Sequence, residues 1–203
     1  MFVRGKPVPS RSRLSRRNNL IVIWMNKIKH AAKILTKGGI IAYPTEAIYG
    51  LGCDPFNETA VHRIFEIKQR PLTKGLILIA SEYSQIEDLI MPTKHMDEIL
   101  KTWPGPNTWV FPVTNKVPEF LLGEFNALAV RITNHPISRS LCTEFGGPIT
   151  STSANISNDP PVKTWQELSP NLFDKIDYVV KGTVGDSEKC SSIRDASTLE
   201  VLR

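Results

Sequence analysis

The stretch "NKIKHAAKILTKGGIIAYPTEAIYGLG", residues 26–52, decides the fold class. It reads as a helix ended by Gly38 or Gly39 that feeds the β-rich run "IIAYP". The same unit recurs downstream. Asn57 can cap "ETAVHRIFEIKQR", where Val61, Ile64, Phe65 and Lys68 recur at helical spacing until Pro71 stops the helix, and the strand "LILIA" follows. Later come a helix near "HMDEILKTW", strands "TWVFPV" and "ALAVRIT", and a helix "PISRSLCTEFG" running into "PITSTSAN". A final helix around "WQELSPNLF" precedes the strand "YVVKG" and two closing β segments, "SSIRDAS" and "LEVLR". Helical periods alternating with short β runs predict an α/β layer architecture. Prolines and very short strands argue against a strictly parallel sheet, so the expected fold is a twisted open mixed sheet flanked by helices.

The 203 residues carry 25 Lys and Arg against 20 Asp and Glu, a formal net charge of +5, with 41% hydrophobic residues. That is enough apolar side chain for a real core, and it excludes disorder and collagen-like folding. The charge is uneven. Residues 1–25 hold Arg4, Lys6, Arg11, Arg13, Arg16 and Arg17 and no acid, which leaves 19 basic and 20 acidic groups, a net of −1, for residues 26–203. The basic excess therefore belongs to a tail, and it does not make the body a nucleic-acid binder. The tail reads as a leader, a transit-like segment or a start assigned too early, with Met25 opening "MNKIKHAAKIL"; Pro7 and Pro9 spoil its helical amphipathicity. The expected domains are this tail, 1–25, and one folded domain, 26–203. No apolar run approaches the ~20 residues that span a bilayer.

Cys53, Cys142 and Cys190 are odd in number and include no C-x-x-C, and His30, His62, His95 and His135 stand alone. No zinc spacing can be drawn from them, and a disulfide framework is not expected, which points to a reducing cytoplasm. Cys142 sits among apolar positions and reads as core. The chain lacks G-x-x-x-x-G-K-[ST], a complete G-x-G-x-x-G, a G-x-S-x-G elbow and H-E-x-x-H, so no common nucleotide or hydrolase motif applies.

Three segments carry chemistry instead. In "YPTEAIYGLG", residues 43–52, a strand ends at Thr45 and passes through Gly50 and Gly52, which suits either close approach of backbone to a ligand or a tight turn. In "IKQRPLTKG", Lys68, Arg70 and Lys74 cluster at a helix end; they answer the helix dipole on a solvated face or cradle phosphate oxygens. In "PITSTSANISNDPP", Ser151, Ser153 and Asn155 offer neutral donors at a strand end, or ordinary Ser and Asx turns. Arg131 interrupts the apolar strand "LAVRIT", where a buried cation needs an acid or an anionic ligand.

Taken in order, "YPTEAIYGLGCDP", the K-x-R of Lys68 and Arg70, "PGPNTWVFP", "LAVRITNHP", the S-x-N of Ser153 and Asn155, and "SSIRDAST" resemble the YrdC/TsaC-type threonylcarbamoyl-AMP synthases from about Gly38 onward. The resemblance implies a YrdC-like sheet with a concave ligand-binding face. On it ATP, L-threonine and bicarbonate would become L-threonylcarbamoyl-AMP and pyrophosphate. It implies that Lys68, Arg70, Ser153 and Asn155 are catalytic and that they bind ATP with Lys74, Arg194 and Arg203. Threonine would be held by Thr45, Arg131, Ser151 and Ser192. Glu46 is the one acid placed to touch a metal or water, with a structural role equally open. Magnesium would arrive with the triphosphate, since no carboxylate cage is evident. A TsaD-type transferase with TsaB and TsaE would carry the product to the adenosine beside the anticodon of tRNA. The competing reading is a double-stranded-RNA-binding or ribosome-maturation factor, which the −1 body disfavours. A carbamoyl-handling module of hydrogenase maturation is a third, but those carry further domains.

Overall fold

The computed structural model describes residues 11–157 and 159–203. Along the chain run α1 (Arg11–Thr36), β1 (Ile41–Pro44), β2 (Tyr49–Gly52), α2 (Glu58–Lys68), β3 (Ile77–Ala80), α3 (Met96–Lys101) and β4 (Asn107–Pro112). They are followed by β5 (Ala127–Ile132), α4 (Pro136–Phe145), β6 (Ile149–Ser153), α5 (Pro170–Phe173), β7 (Tyr178–Val179) and β8 (Ser192–Asp195).

Gly38 closes α1 with φ +78, and the N–H of Gly39 reaches back to the Ile34 carbonyl at 2.9 Å. This left-handed cap is one that L side chains resist. A Cβ at Gly38 would also lie 2.7 Å from the Asn57 amide. Asn57 in turn caps α2, its side chain accepting from the Ala60 N–H at 3.0 Å. At its other end α2 stops at Lys68, where Gln69 turns left-handed (φ 49), before Pro71 is reached. The helix expected to begin at Asn26 begins at Arg11, because no Gly or Pro interrupts residues 11–36. The first ten residues of the basic tail, with Pro7 and Pro9, lie outside the described residues.

The eight strands form one mixed sheet in the order β7-β1-β2-β6-β3-β5-β4-β8. β1–β7, β3–β5 and β4–β8 are parallel, and the other four pairings are antiparallel. Side chains alternate across it with a period of two. One face carries Leu51, Leu78, Phe111 and Val130, buried against Val61, Ile64 and Phe65 of α2 and Ile99 of α3. On the other, Ile41, Tyr43, Ile79 and Ile149 are sealed by Ile28, Ala31 and Leu35 of α1 and by Ile137, Leu141 and Cys142 of α4. Cys142 is thus a fully buried core residue. These two helices cover only part of that face, and the rest is open.

Two local expectations change. "YGLG" is strand β2, paired with β1 on one side and β6 on the other, and not a tight turn. Gly52 is required by that packing: a Cβ there would lie 2.5 Å from the Thr150 carbonyl and 2.8 Å from the Tyr43 ring. "LEVLR" is not a ladder strand; it meets β8 in a single bridge, Arg194 with Val201.

Candidate active site

The open part of the second face forms a cavity of about 570 Å³, within the range of small-molecule sites. Register explains its floor. Gly50 lies opposite Ser153, Ser151 opposite Ile77, Ile77 opposite Ala129, and Ala129 opposite Val110, so these residues share one face and all line the cavity.

At one end stands Arg131, 6% exposed, beside Glu46, 8% exposed. Arg131 Nη2 lies 3.5 Å from Glu46 Oε2, near enough for charge attraction but not aligned as a hydrogen bond. Glu46 Oε1 accepts from the Thr133 hydroxyl at 2.7 Å and from the Asn134 N–H at 3.1 Å. Burial pushes the Glu46 carboxyl up, but Arg131 and these donors outweigh it and hold it below the usual carboxylate range, so it is ionised. The backbone here is pinned from behind: Gly185 N–H donates to the Thr45 carbonyl at 2.9 Å and Ser187 N–H to that of Glu46 at 3.1 Å. His135 Nε2 lies 3.0 Å from the Thr183 carbonyl, which can only accept, so Nε2 carries the proton and ties the same segment down. Burial lowers its pKa and keeps the ring neutral.

At the other end are Arg70, Lys74, Asn155 and Arg203. Arg70 donates to the carbonyls of Lys74 at 3.0 Å and Gly75 at 3.2 Å, while its buried Nε finds no acceptor among the described residues. Burial, and then the nearby Arg203, lower the Arg70 pKa, and burial, and then Arg70, lower that of Lys68 to about 8. These cations destabilise one another, and a bound polyanion would relieve them.

The positions assigned from sequence separate into three groups. Thr45, Arg70, Lys74, Arg131, Ser151, Ser153, Asn155 and Arg203 all line the cavity. Lys68 stands one layer behind the wall: it is 2% exposed and its Nζ donates to the carbonyls of Ser153 at 2.6 Å and Asn155 at 2.7 Å. It fastens the S-x-N turn to the end of α2. Ser192 and Arg194 are not among the residues that line the cavity. Along β8 they alternate with Ile193 and Asp195, which are the residues that face the cavity. Ser192 donates to Asn107 Oδ1 at 3.0 Å, and Arg194 lies over the Trp109 ring on the opposite face. Ser191, one residue earlier, reaches the cavity in place of Ser192; a shift of one residue in a strand inverts the face.

Two carboxylates reach the cavity, Glu46 and Asp195. Glu46 is engaged as described, and Asp195 Oδ1 accepts from the N–H groups of Ser197 at 2.7 Å and Thr198 at 3.0 Å. Among the described residues no three His, Cys, Asp or Glu side chains come together as a metal site. None of the described helices is long and apolar enough to cross a membrane.

Residues 33–203 match the model of the Sua5, YciO and YrdC family, described as "Telomere recombination". The chain belongs to this family. It is 44% identical over 182 residues to the threonylcarbamoyl-AMP synthase of Coxiella burnetii, covering 89% of this chain and 98% of that protein. The synthase of Vibrio campbellii is 42% identical over 183 residues, covering 88% and 99%. Among solved structures, P. abyssi Sua5 complexed with L-threonine superposes with a TM-score of 0.79 at 34% identity, covering 84% of this chain and 51% of that one. E. coli YciO superposes with a TM-score of 0.78 at 28% identity, covering 88% and 89%. This chain spans about half the length of the Sua5 protein and 89% of YciO. Sequence reading of the family motifs passed over Ser191, Asp195 and the apolar wall of Leu121, Leu122 and Phe125. Only the period of two along β8 could have pointed to the first two.

Proposed function

We propose that the protein is an L-threonylcarbamoyl-AMP synthase. The observation that carries this reading is a single cavity with an Arg131–Glu46 pair at one end and, at the other, Arg70, Lys74 and Arg203, of which Arg70 and Arg203 repel one another. An amino acid fits the first and a triphosphate the second. The names of the relatives and the L-threonine complex of P. abyssi Sua5 support it.

The ammonium of L-threonine and bicarbonate combine to a carbamate with loss of water and one proton. A carbamate oxygen then attacks the α-phosphorus of ATP, the bond to the β-phosphate oxygen breaks, and pyrophosphate leaves. In this scheme Arg131 takes the threonine carboxylate, with Thr45 and Ser151 beside it. Arg70, Lys74 and Arg203 neutralise charge on the phosphates as it shifts to the leaving group, and Ser153 and Asn155 add neutral donors. Lys68 holds those two in place. The apolar wall of Leu121, Leu122 and Phe125 limits water around a carbamate that water destroys. Magnesium travels on the triphosphate as part of the nucleotide substrate, since among the described residues no three His, Cys, Asp or Glu side chains come together to hold it. The product passes to a TsaD-type transferase working with TsaB and TsaE, which modifies tRNA in the cytoplasm.

The test is pyrophosphate release from ATP by the purified protein with L-threonine and bicarbonate each present or omitted, together with the mass of the adenylate. Release that needs both and an adduct of threonylcarbamoyl-AMP mass are expected. Threonine-independent release, or none from folded protein, would overturn the reading.

A further inference from the structure

Glu46 leaves one lone-pair site unfilled. Its Oε1 is saturated by Thr133 and Asn134, whereas Oε2 is buried and receives no hydrogen bond from the described residues, in a residue that is itself part of the cavity lining. A buried ionised oxygen without a donor is costly, and a charged donor repays it best. Beside it Arg131 Nε is also buried and without an acceptor. An unsatisfied acceptor and an unsatisfied donor thus lie together in one wall, held by a 3.5 Å ion-pair contact.

We propose that Glu46 Oε2 accepts from the α-amino group of the bound amino acid, so that Arg131 and Glu46 together read the carboxylate and the ammonium of one zwitterion. This rests on the reading of the cavity as an amino-acid-activating site. Three arguments favour the amino group over the side-chain hydroxyl. The amino group is borne by the carbon that carries the carboxylate, whereas the hydroxyl is one carbon further from Arg131. A zwitterion also adds no net charge to a buried pair that is already balanced. Finally, once the carbamate forms, its nitrogen keeps one hydrogen that can still donate to Oε2. The new carboxylate is meanwhile repelled by Glu46 toward Arg70 and Arg203, where the α-phosphate must lie.

The test is Glu46→Gln in the full chain. The variant has the same shape and keeps an oxygen for Thr133 and Asn134, but it turns a donor toward the ligand. Binding of three ligands is measured by calorimetry: L-threonine, L-2-aminobutyrate, which lacks the hydroxyl, and (R)-3-hydroxybutyrate, which lacks the amino group. The variant is expected to weaken the first two by about 10- to 100-fold and the third by less than about twofold. Equal losses for all three would mean that Glu46 acts only through Arg131, and losses confined to the two hydroxyl-bearing ligands would move the contact to the hydroxyl. Either result overturns the proposal. Should Glu46→Gln not fold, Glu46→Asp, which withdraws the carboxylate by one methylene, is expected to give the same pattern among ligands. If the wild-type protein binds ATP but none of the three, the amino-acid reading of the cavity fails as well.

Discussion

Ile149 and Ser151 are neighbours on one face of β6, yet the first is sealed beneath α1 and α4 while the second opens into the cavity. The same division cuts β3 at Ile79 and Ile77. The backbone is the same sheet on both sides of the line. What differs is cover: where helices lie over the face the side chains are apolar and dry, and where they stop, Arg131, Ser151 and Ser153 appear among small residues. A sheet face half closed by helices provides a rigid floor and an open site at once, and the site residues inherit their precision from strand register.

The largest test of this division is Arg131→Met. It leaves Glu46 buried without its cation, at about 3–5 kcal/mol of stability, and it removes the partner of the threonine carboxylate, so kcat/KM for L-threonine should fall by roughly 10²–10³-fold in pyrophosphate-release assays. Wild-type kinetics would show that the open half does not hold the amino acid. On the covered half, Leu141→Ala should cost about 2–5 kcal/mol by opening a void under α4, lowering Tm by roughly 2–4 °C per kcal/mol. Its kcat/KM should stay unchanged at permissive temperature; an activity loss without a Tm change would erase the distinction between the halves.

Lys68 sharpens the boundary itself. Its folded pKa is held to about 8 by burial and Arg70, against an ordinary 10.5. Between those values the unfolded chain holds more protons, so this residue's contribution to stability rises with pH across that window, and below 8 its burial as a cation lowers stability. Function runs the other way: loss of the proton converts the ammonium gripping Ser153 and Asn155 into an amine. The KM for ATP should therefore rise about tenfold between pH 7 and 9, and Lys68→Met should flatten that profile at the higher value. The smallest effect is expected from Arg194→Ala, whose side chain lies on the far face and should change kcat/KM by less than about twofold, whereas Arg203→Ala should raise the KM for ATP.

Local signals carried much of this fold into the sequence. Gly38 and Asn57 announce helix ends through their own backbone and side-chain chemistry, and the alternation of helical and β runs is enough to predict a mixed α/β sheet. Family motifs located eight of the cavity residues. What stayed hidden depends on partners distant in sequence. Tyr49–Gly52 has two glycines in four residues and no strand period of its own; it is a strand because β1 and β6 flank it. Ser192 and Arg194 read as cavity residues because the motif around them is short and its phase is set only by pairing with β4. Lys68 reads as a helix-end cation on a solvated face or in a phosphate cradle, and its burial follows from the return of β6 against α2.

The most direct test of the central claim is a structure of the protein with L-threonine and a non-hydrolysable ATP analogue. The threonine carboxylate is expected on Arg131, its amino group on Glu46, and the phosphates among Arg70, Lys74 and Arg203. Threonine or phosphates bound away from this open face, or the two ligands bound in separate places, would contradict it.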